Sequence, residues 1–189
     1  MSGVVHRDKA AVDVKKQSDY VFAMEELVAA AQELARARSL QDILDVVRIT
    51  GRQLAGADGA TFVLKDGDKC FYVDESAIGP LWKGLRFPLE NCVSGWVMNN
   101  NKPVAIEDIY KDHRVPIDAY RPTFVKSMMM VAVGNPAVGA IGNYWSTEHQ
   151  ATEQEISILQ SLADTVAVAM ENVKYYQKLQ DKIKSLESD

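Results

Sequence analysis

From Thr152 to its end the chain reads as one helix whose apolar face changes width part-way, and that change sets the plan of the molecule. Thr152 and Glu155 have the spacing of a capping box, in which each side chain satisfies the other's backbone N–H. Ile156, Leu159, Ala163, Val166 and Met170 then recur at three and four residues, a stripe broad enough to lie on a core. From Tyr175 onward only Tyr176, Leu179, Ile183 and Leu186 stay apolar among Gln, Asp, Lys and Glu, which is the spacing of a coiled-coil seam. A second narrow seam lies near the start, where Tyr20, Met24, Leu27, Ala31 and Leu34 alternate four and three within a helix expected over 14–38. Seams this narrow predict burial against a second copy. The expected interface of a homodimer is therefore Tyr20, Met24, Leu27, Leu34, Tyr176, Leu179, Ile183 and Leu186. Residues 1–13 are polar and read as a flexible tail.

Between the two seams the period changes. Ser39 with Asp42 predicts another cap, opening a helix to about Leu54 with Ile43, Leu44 and Val47 on its core face. Gly56 and Gly59 break it. Ala60–Lys65 and Lys69–Glu75 then read as strands joined by an Asp66-Gly67-Asp68 turn. A short extended piece ends near Pro88, a short helix is expected over Val93–Asn100, and Pro103–Asp108 reads as a strand. Ser127–Val133 and Ala137–Ser146 make a second hairpin. The segment Ile109–Lys126 between them is irregular and proline-punctuated, with one helical turn expected near Tyr120–Phe124; a loop this long in a compact domain is usually a lid. This order predicts an α+β fold: an antiparallel sheet with the N- and C-terminal helices on one face and a loop-covered pocket on the other.

Composition narrows the function classes. A formal net charge of -5 argues against a nucleic-acid partner, which favours a basic face. No apolar run has the length to cross a bilayer, and the charged start has no signal-peptide core, so a cytoplasmic protein with no membrane contact is expected. Cys70 and Cys92 make no zinc motif, so no metal is expected. No nucleophile elbow or phosphate-binding loop occurs either, and an enzyme is not expected.

Three stretches in order carry a resemblance: CVSGWVMNNNKPVAIEDI (Cys92–Ile109), AVGAIGNYWS (Ala137–Ser146) and SLADTVAVAMENVKYY (Ser161–Tyr176). The chain resembles a GAF domain over about Ser39–Tyr176, of the kind that serves bacterial signalling proteins such as sensor histidine kinases. The resemblance implies a GAF domain over 39–174, a signalling or linker helix over 175–189, and a non-catalytic role in signal transduction, for example in a two-component system. In that role an unknown small molecule binds and the dimer relays the signal to an output domain or kinase. Two alternatives stay open: a redox enzyme of the free methionine sulfoxide reductase kind, and a dimerisation module without a ligand.

The ligand site expected beneath the lid is lined by Phe87, Cys92, Trp96, Asp118, Tyr120, Phe124, Met128 and Met130, which concentrate aromatic, thioether and polar groups. A covalent bilin is not expected, because the family's Cys-His pair is missing ahead of Ser127. Haem is not expected: it needs an axial ligand, only His113 is placed to serve, and a lone polar loop histidine usually has no such role. Cys92, just before a helix, is the better candidate of the two thiols for reactivity.

Overall fold

The structure, a computed structural model, describes the backbone of residues 2–187 and the side chains of 17–187. Helices α1 (Ser2–Leu34) and α2 (Leu40–Gln53) lead into strands β1 (Gly59–Asp66), β2 (Lys69–Ala77) and β3 (Arg86–Pro88). A single 3-10 turn (Leu89–Asn91) and α3 (Val93–Asn100) follow, then β4 (Val104–Ile106), the four-residue α4 (Ile117–Tyr120), β5 (Ser127–Val133), β6 (Gly139–Trp145) and α5 (Glu153–Glu187). The strands form one six-stranded sheet in the order β3-β2-β1-β6-β5-β4, every neighbouring pair antiparallel.

Local chemistry explains the boundaries. Ser39 Oγ accepts the Asp42 N–H at 3.2 Å while Asp42 Oδ2 accepts the Ser39 N–H at 3.0 Å, a reciprocal cap that fixes the start of α2. Thr152 and Glu155 do the same for α5, at 2.7 and 3.2 Å. The β1–β2 turn needs a left-handed residue, and Gly67 supplies it at φ +61°.

The sheet is buried on both faces. Along β5 side chains alternate: Met129, Val131 and Val133 join the core beneath α1, α2 and α5, whereas Met128, Met130 and Ala132 join a second core beneath α3 and the loops. A strand buried on both sides reads as a continuous apolar run, which is why SMMMVAV shows no alternation in sequence.

Several expectations need correction. Helix α1 reaches back to Ser2, through the segment read as a flexible tail, and ends at Leu34 rather than at residue 38. Leu34, assigned to the dimer seam, is 2% exposed and packs within its own chain, joining Ala23 and Ala30 in the core shared with α2 and α5. Met24 and Leu27 are half-buried against that same core. Tyr20, Tyr176, Leu179, Ile183 and Leu186 are exposed, although the Arg38 guanidinium sits 5.5 Å over the Tyr176 ring. Burial on α5 ends at Val173, yet the helix continues to Glu187. The helical turn of the lid lies at Ile117–Tyr120, ahead of the Tyr120–Phe124 expected.

Candidate functional site

The loop-covered face of the sheet is closed by rings. Trp82 lies at its centre, 4% exposed, with ring centroids 5.4 Å from Tyr72, 4.5 Å from Tyr120 and 5.5 Å from Tyr144; Phe87 meets Tyr72 edge-on at 5.5 Å. The segment carrying Trp82 is held from below. The Glu75 carboxylate accepts the backbone N–H groups of Leu81, Trp82 and Lys83 at 3.0, 2.8 and 2.7 Å. The indole N–H donates to the Ala119 carbonyl at 3.0 Å and ties this segment to the lid. The lid itself is pinned at both ends by the Ile109 N–H donating to the Lys126 carbonyl, and in its length by the buried Ile109, Val115, Tyr120 and Val125.

Burial pushes the phenols of Tyr72, Tyr120 and Tyr144 up, away from ionisation. Each hydroxyl keeps a partner: Tyr144 with Thr61 Oγ1 at 2.9 Å, Tyr72 with Ser94 Oγ at 3.2 Å, and Tyr120 with Met128 Sδ at 3.9 Å. These are the satisfied polar ends of core side chains.

The residues expected to line one pocket therefore divide. Tyr120, Met128 and Met130 are fully buried and fill the space beneath the lid. Phe124 packs towards β1, where a Cβ on Gly59 would stand 2.9 Å from its ring. Asp118 is not a site residue: its side chain is fully exposed and lies 3.5 Å from Arg121. The four-residue helical turn packs Ile117, Ala119 and Tyr120 against the loop-side core and leaves Asp118 to water. Cys92 and Trp96, by contrast, line an open cleft of about 590 Å³ with Glu90, Asn91, His113, Arg114, Val115 and Pro116. That volume lies in the range of small-molecule sites. A larger hollow of about 690 Å³ between α2 and the 75–83 segment, bordered by Arg48, Ile49 and Lys83, contains none of the expected residues.

The cleft is bordered by the Arg114 guanidinium, the Glu90 carboxylate and Cys92. The Arg114 guanidinium lies 4.8 Å over the Trp96 ring and is fixed by Asp112, whose carboxyl it holds below the usual carboxylate range. Cys92 is the N-cap of α3, and its Sγ accepts the Gly95 N–H at 3.4 Å and the Ser94 hydroxyl at 3.2 Å. Cys70, on β2, places its Sγ 2.8 Å from that of Cys92. The contact with Cys70, opposed by burial and reinforced by Ser94 and Gly95, lowers the Cys92 thiol to about 7, while the same contact pushes Cys70 up. Gly95 is required here: a Cβ would stand 1.6 Å from the Leu89 carbonyl oxygen.

Of the residues expected at a ligand site, Cys92 and Trp96 border this cleft; Arg114 and the Cys70–Cys92 contact were not anticipated from the sequence. The Asp112-x-Arg114 pair was the available signal for the first; two cysteines on separate elements gave none for the second. Among the described residues no group of His, Cys, Asp and Glu is arranged to hold a metal ion, and no helix is long and apolar enough to cross a membrane.

A family model described as a GAF domain matches residues 37–171. Among curated proteins no sequence matches. Solved structures do. The GAF domain of an Acinetobacter phosphoenolpyruvate-protein phosphotransferase is 17% identical with a TM-score of 0.71, covering 83% of this chain and 98% of its own. Free methionine-R-sulfoxide reductase from Neisseria meningitidis, solved with its substrate, is 16% identical with a TM-score of 0.72, covering 82% and 92%. The GAF domain of a two-component sensor histidine kinase from Bacillus halodurans is 20% identical with a TM-score of 0.62, covering 75% and 99%. At these identities the likeness is one of fold.

Proposed function

The chain belongs to the GAF domain family, and from that premise we propose that it is a non-catalytic, cytoplasmic sensory module that binds a small molecule and relays the event through a helical dimer to an output module. The observation that carries this reading is the continuity of α5. Its first half is the floor of the core beneath β5, and beyond Val173 it projects as a stem with Leu179, Ile183 and Leu186 exposed. A change in how the sheet packs on α5 has a rigid lever to act on, and two stems paired along that seam would carry it onward as a change of pitch or rotation. The ligand end of the relay is the Cys92–Trp96–Arg114 cleft rather than the face beneath the lid. It is open, it offers an aromatic ring and a fixed cation, and α3 on its wall packs against β5 and β6.

One observation favours a second reading, a dimerisation module without a ligand: the ring cluster around Trp82 closes the face where the ligand was expected. A reductase of the methionine sulfoxide kind is favoured only by the paired thiols and by the fold it shares with one such enzyme. Native mass spectrometry of freshly purified chain separates the readings. We expect a dimer carrying a non-protein mass that is lost in Arg114→Ala. A bare dimer from every expression host supports the ligand-free module. A bare monomer overturns both, and turnover of free methionine sulfoxide would establish the reductase.

A further inference from the structure

Cys70 and Cys92 serve neither the cleft's cation nor the stem, yet they are the most specifically arranged polar groups on this face. They lie on different elements, β2 and the cap of α3, and the fold brings their sulfurs to 2.8 Å. Ordinary buried cysteines behave as small apolar fillers. Cys92 instead ends a chain of donors: the Tyr72 hydroxyl is 3.2 Å from Ser94 Oγ, the Ser94 hydroxyl donates to Cys92 Sγ at 3.2 Å, and the Gly95 N–H donates to it at 3.4 Å. These donors favour sulfur in its anionic form, at the start of a helix whose dipole has the same sense, and outnumber the single acceptor beside it, the Leu89 carbonyl at 3.9 Å. Both thiols are buried, but they differ in access: Cys92, 5% exposed, borders the open cleft, whereas Cys70 is 0% exposed behind it.

We propose that Cys70 and Cys92 form a redox-active dithiol, in which a hydroperoxide oxidises Cys92 and Cys70 then closes an intrachain disulfide between β2 and the start of α3. In the first step the Cys92 thiolate attacks the outer oxygen of the hydroperoxide. A sulfur–oxygen bond forms, the oxygen–oxygen bond breaks, and the departing oxygen takes a proton and leaves as water or an alcohol. In the second step Cys70 sulfur attacks the Cys92 sulfenic acid. The sulfur–sulfur bond forms, the sulfur–oxygen bond breaks, and the expelled hydroxide takes the Cys70 proton as water. Two thiols lose two electrons to one peroxide, and an external thiol restores them by exchange. A disulfide needs its sulfurs at about 2.05 Å, so closure draws the α3 cap towards β2. Because α3 packs on β5 and β6 and walls the cleft, oxidation reaches both the cleft and the sheet.

The proposal does not depend on the sensory reading, since it concerns peroxide chemistry that a ligand-free module would show equally. The test treats the reduced full chain with a small excess of hydrogen peroxide and follows intact mass and unreduced tryptic peptides. We expect wild type to lose the mass of two hydrogens and to yield peptide 70–83 linked to peptide 87–111, reversibly with dithiothreitol. Cys70→Ser should accumulate a Cys92 sulfenic acid that dimedone traps, and Cys92→Ser should leave Cys70 reduced. Ser94→Ala should slow the first step without abolishing the disulfide. The wild-type arm alone can overturn the proposal. A linkage between chains, over-oxidation of Cys92 without a disulfide, or thiols left intact while methionines oxidise would each do so.

Discussion

Trp82 decides whether the loop-covered face is a core or a pocket, and cutting it to alanine gives a measurable answer. The side chain is 4% exposed, makes three ring contacts within 5.5 Å and donates its indole N–H to Ala119. Truncating a buried Trp costs about 3–5 kcal/mol. Aromatic pairs contribute about 0.5–1.5 kcal/mol each beyond area, and the lost hydrogen bond about 1 kcal/mol. Three pairs at once place Trp82→Ala at the top of that range, about 5 kcal/mol. With a urea slope of roughly 3 kcal/mol/M for a chain of this size, the midpoint should fall by about 1.7 M. Trp82→Phe keeps a ring against Tyr72 and Tyr120 and loses the bond to Ala119, so about 2 kcal/mol is expected. Equilibrium urea unfolding followed by far-ultraviolet circular dichroism reads both. Indole should restore part of the loss in Trp82→Ala alone, because it refills the cavity. If Trp82→Ala unfolds within about 1 kcal/mol of wild type, Trp82 does not hold the lid down, and the face is a ligand pocket after all.

Three further outcomes follow from the geometry. Gly95→Ala should destabilise by about 2–4 kcal/mol in the same titration, because its Cβ meets the Leu89 carbonyl, which is backbone and cannot swing away; an unchanged midpoint would show that α3 is loosely held. Leu179→Glu with Ile183→Glu should leave the unfolding midpoint within about 0.5 kcal/mol yet convert a dimer to a monomer in sedimentation velocity, since both side chains are exposed on the single chain; a wild type already monomeric at roughly tens of micromolar removes the stem interface. Iodoacetamide should alkylate Cys92 with a rate that levels off above about 7 as the thiolate fraction saturates, Cys70 reacting only after unfolding; a rate still climbing through the ordinary thiol range, about 8.5, would show that Ser94 and Gly95 do not hold an anion.

Much of the architecture was legible because it rests on local chemistry. The two capping boxes, the Asp66-Gly67-Asp68 turn and the helix after Cys92 are written within a few residues, and the structure places each where its spacing indicates. Leu34 shows the limit of such reasoning. A four-three repeat says that a helix has a narrow apolar seam and nothing about which helix covers it. In this fold α2 and α5 of the same chain reach Leu34 first. The same limit applies to SMMMVAV, where a continuous apolar run states that the strand is buried without saying that its two faces serve different cores.

The site was less legible because it is made between elements. Every aromatic residue assigned to a pocket does lie in or against the loop-side core, Phe87 from strand β3 and Trp96, Tyr120 and Phe124 from α3 and the lid. Whether such a face stays hollow depends on what the far side brings, and here that is Trp82, delivered by a segment whose shape depends on three hydrogen bonds to Glu75. Glu75 on its own strand reads only as an acidic residue near a strand end. With the centre filled, an opening that includes two of the expected residues lies at the margin, where the α3 cap meets residues 113–116. There a cation held over Trp96 and a sulfur held by Ser94, Gly95 and Cys70 border the same cleft. An anionic or electron-rich aromatic ligand bound to Arg114 and Trp96 would stand in the path by which a peroxide reaches Cys92. Occupancy of the cleft should therefore protect the thiol, and iodide or another small anion that slows Cys92 alkylation in wild type should lose that effect in Arg114→Ala. Protection that persists in Arg114→Ala would mean that the cation and the sulfur do not share one opening.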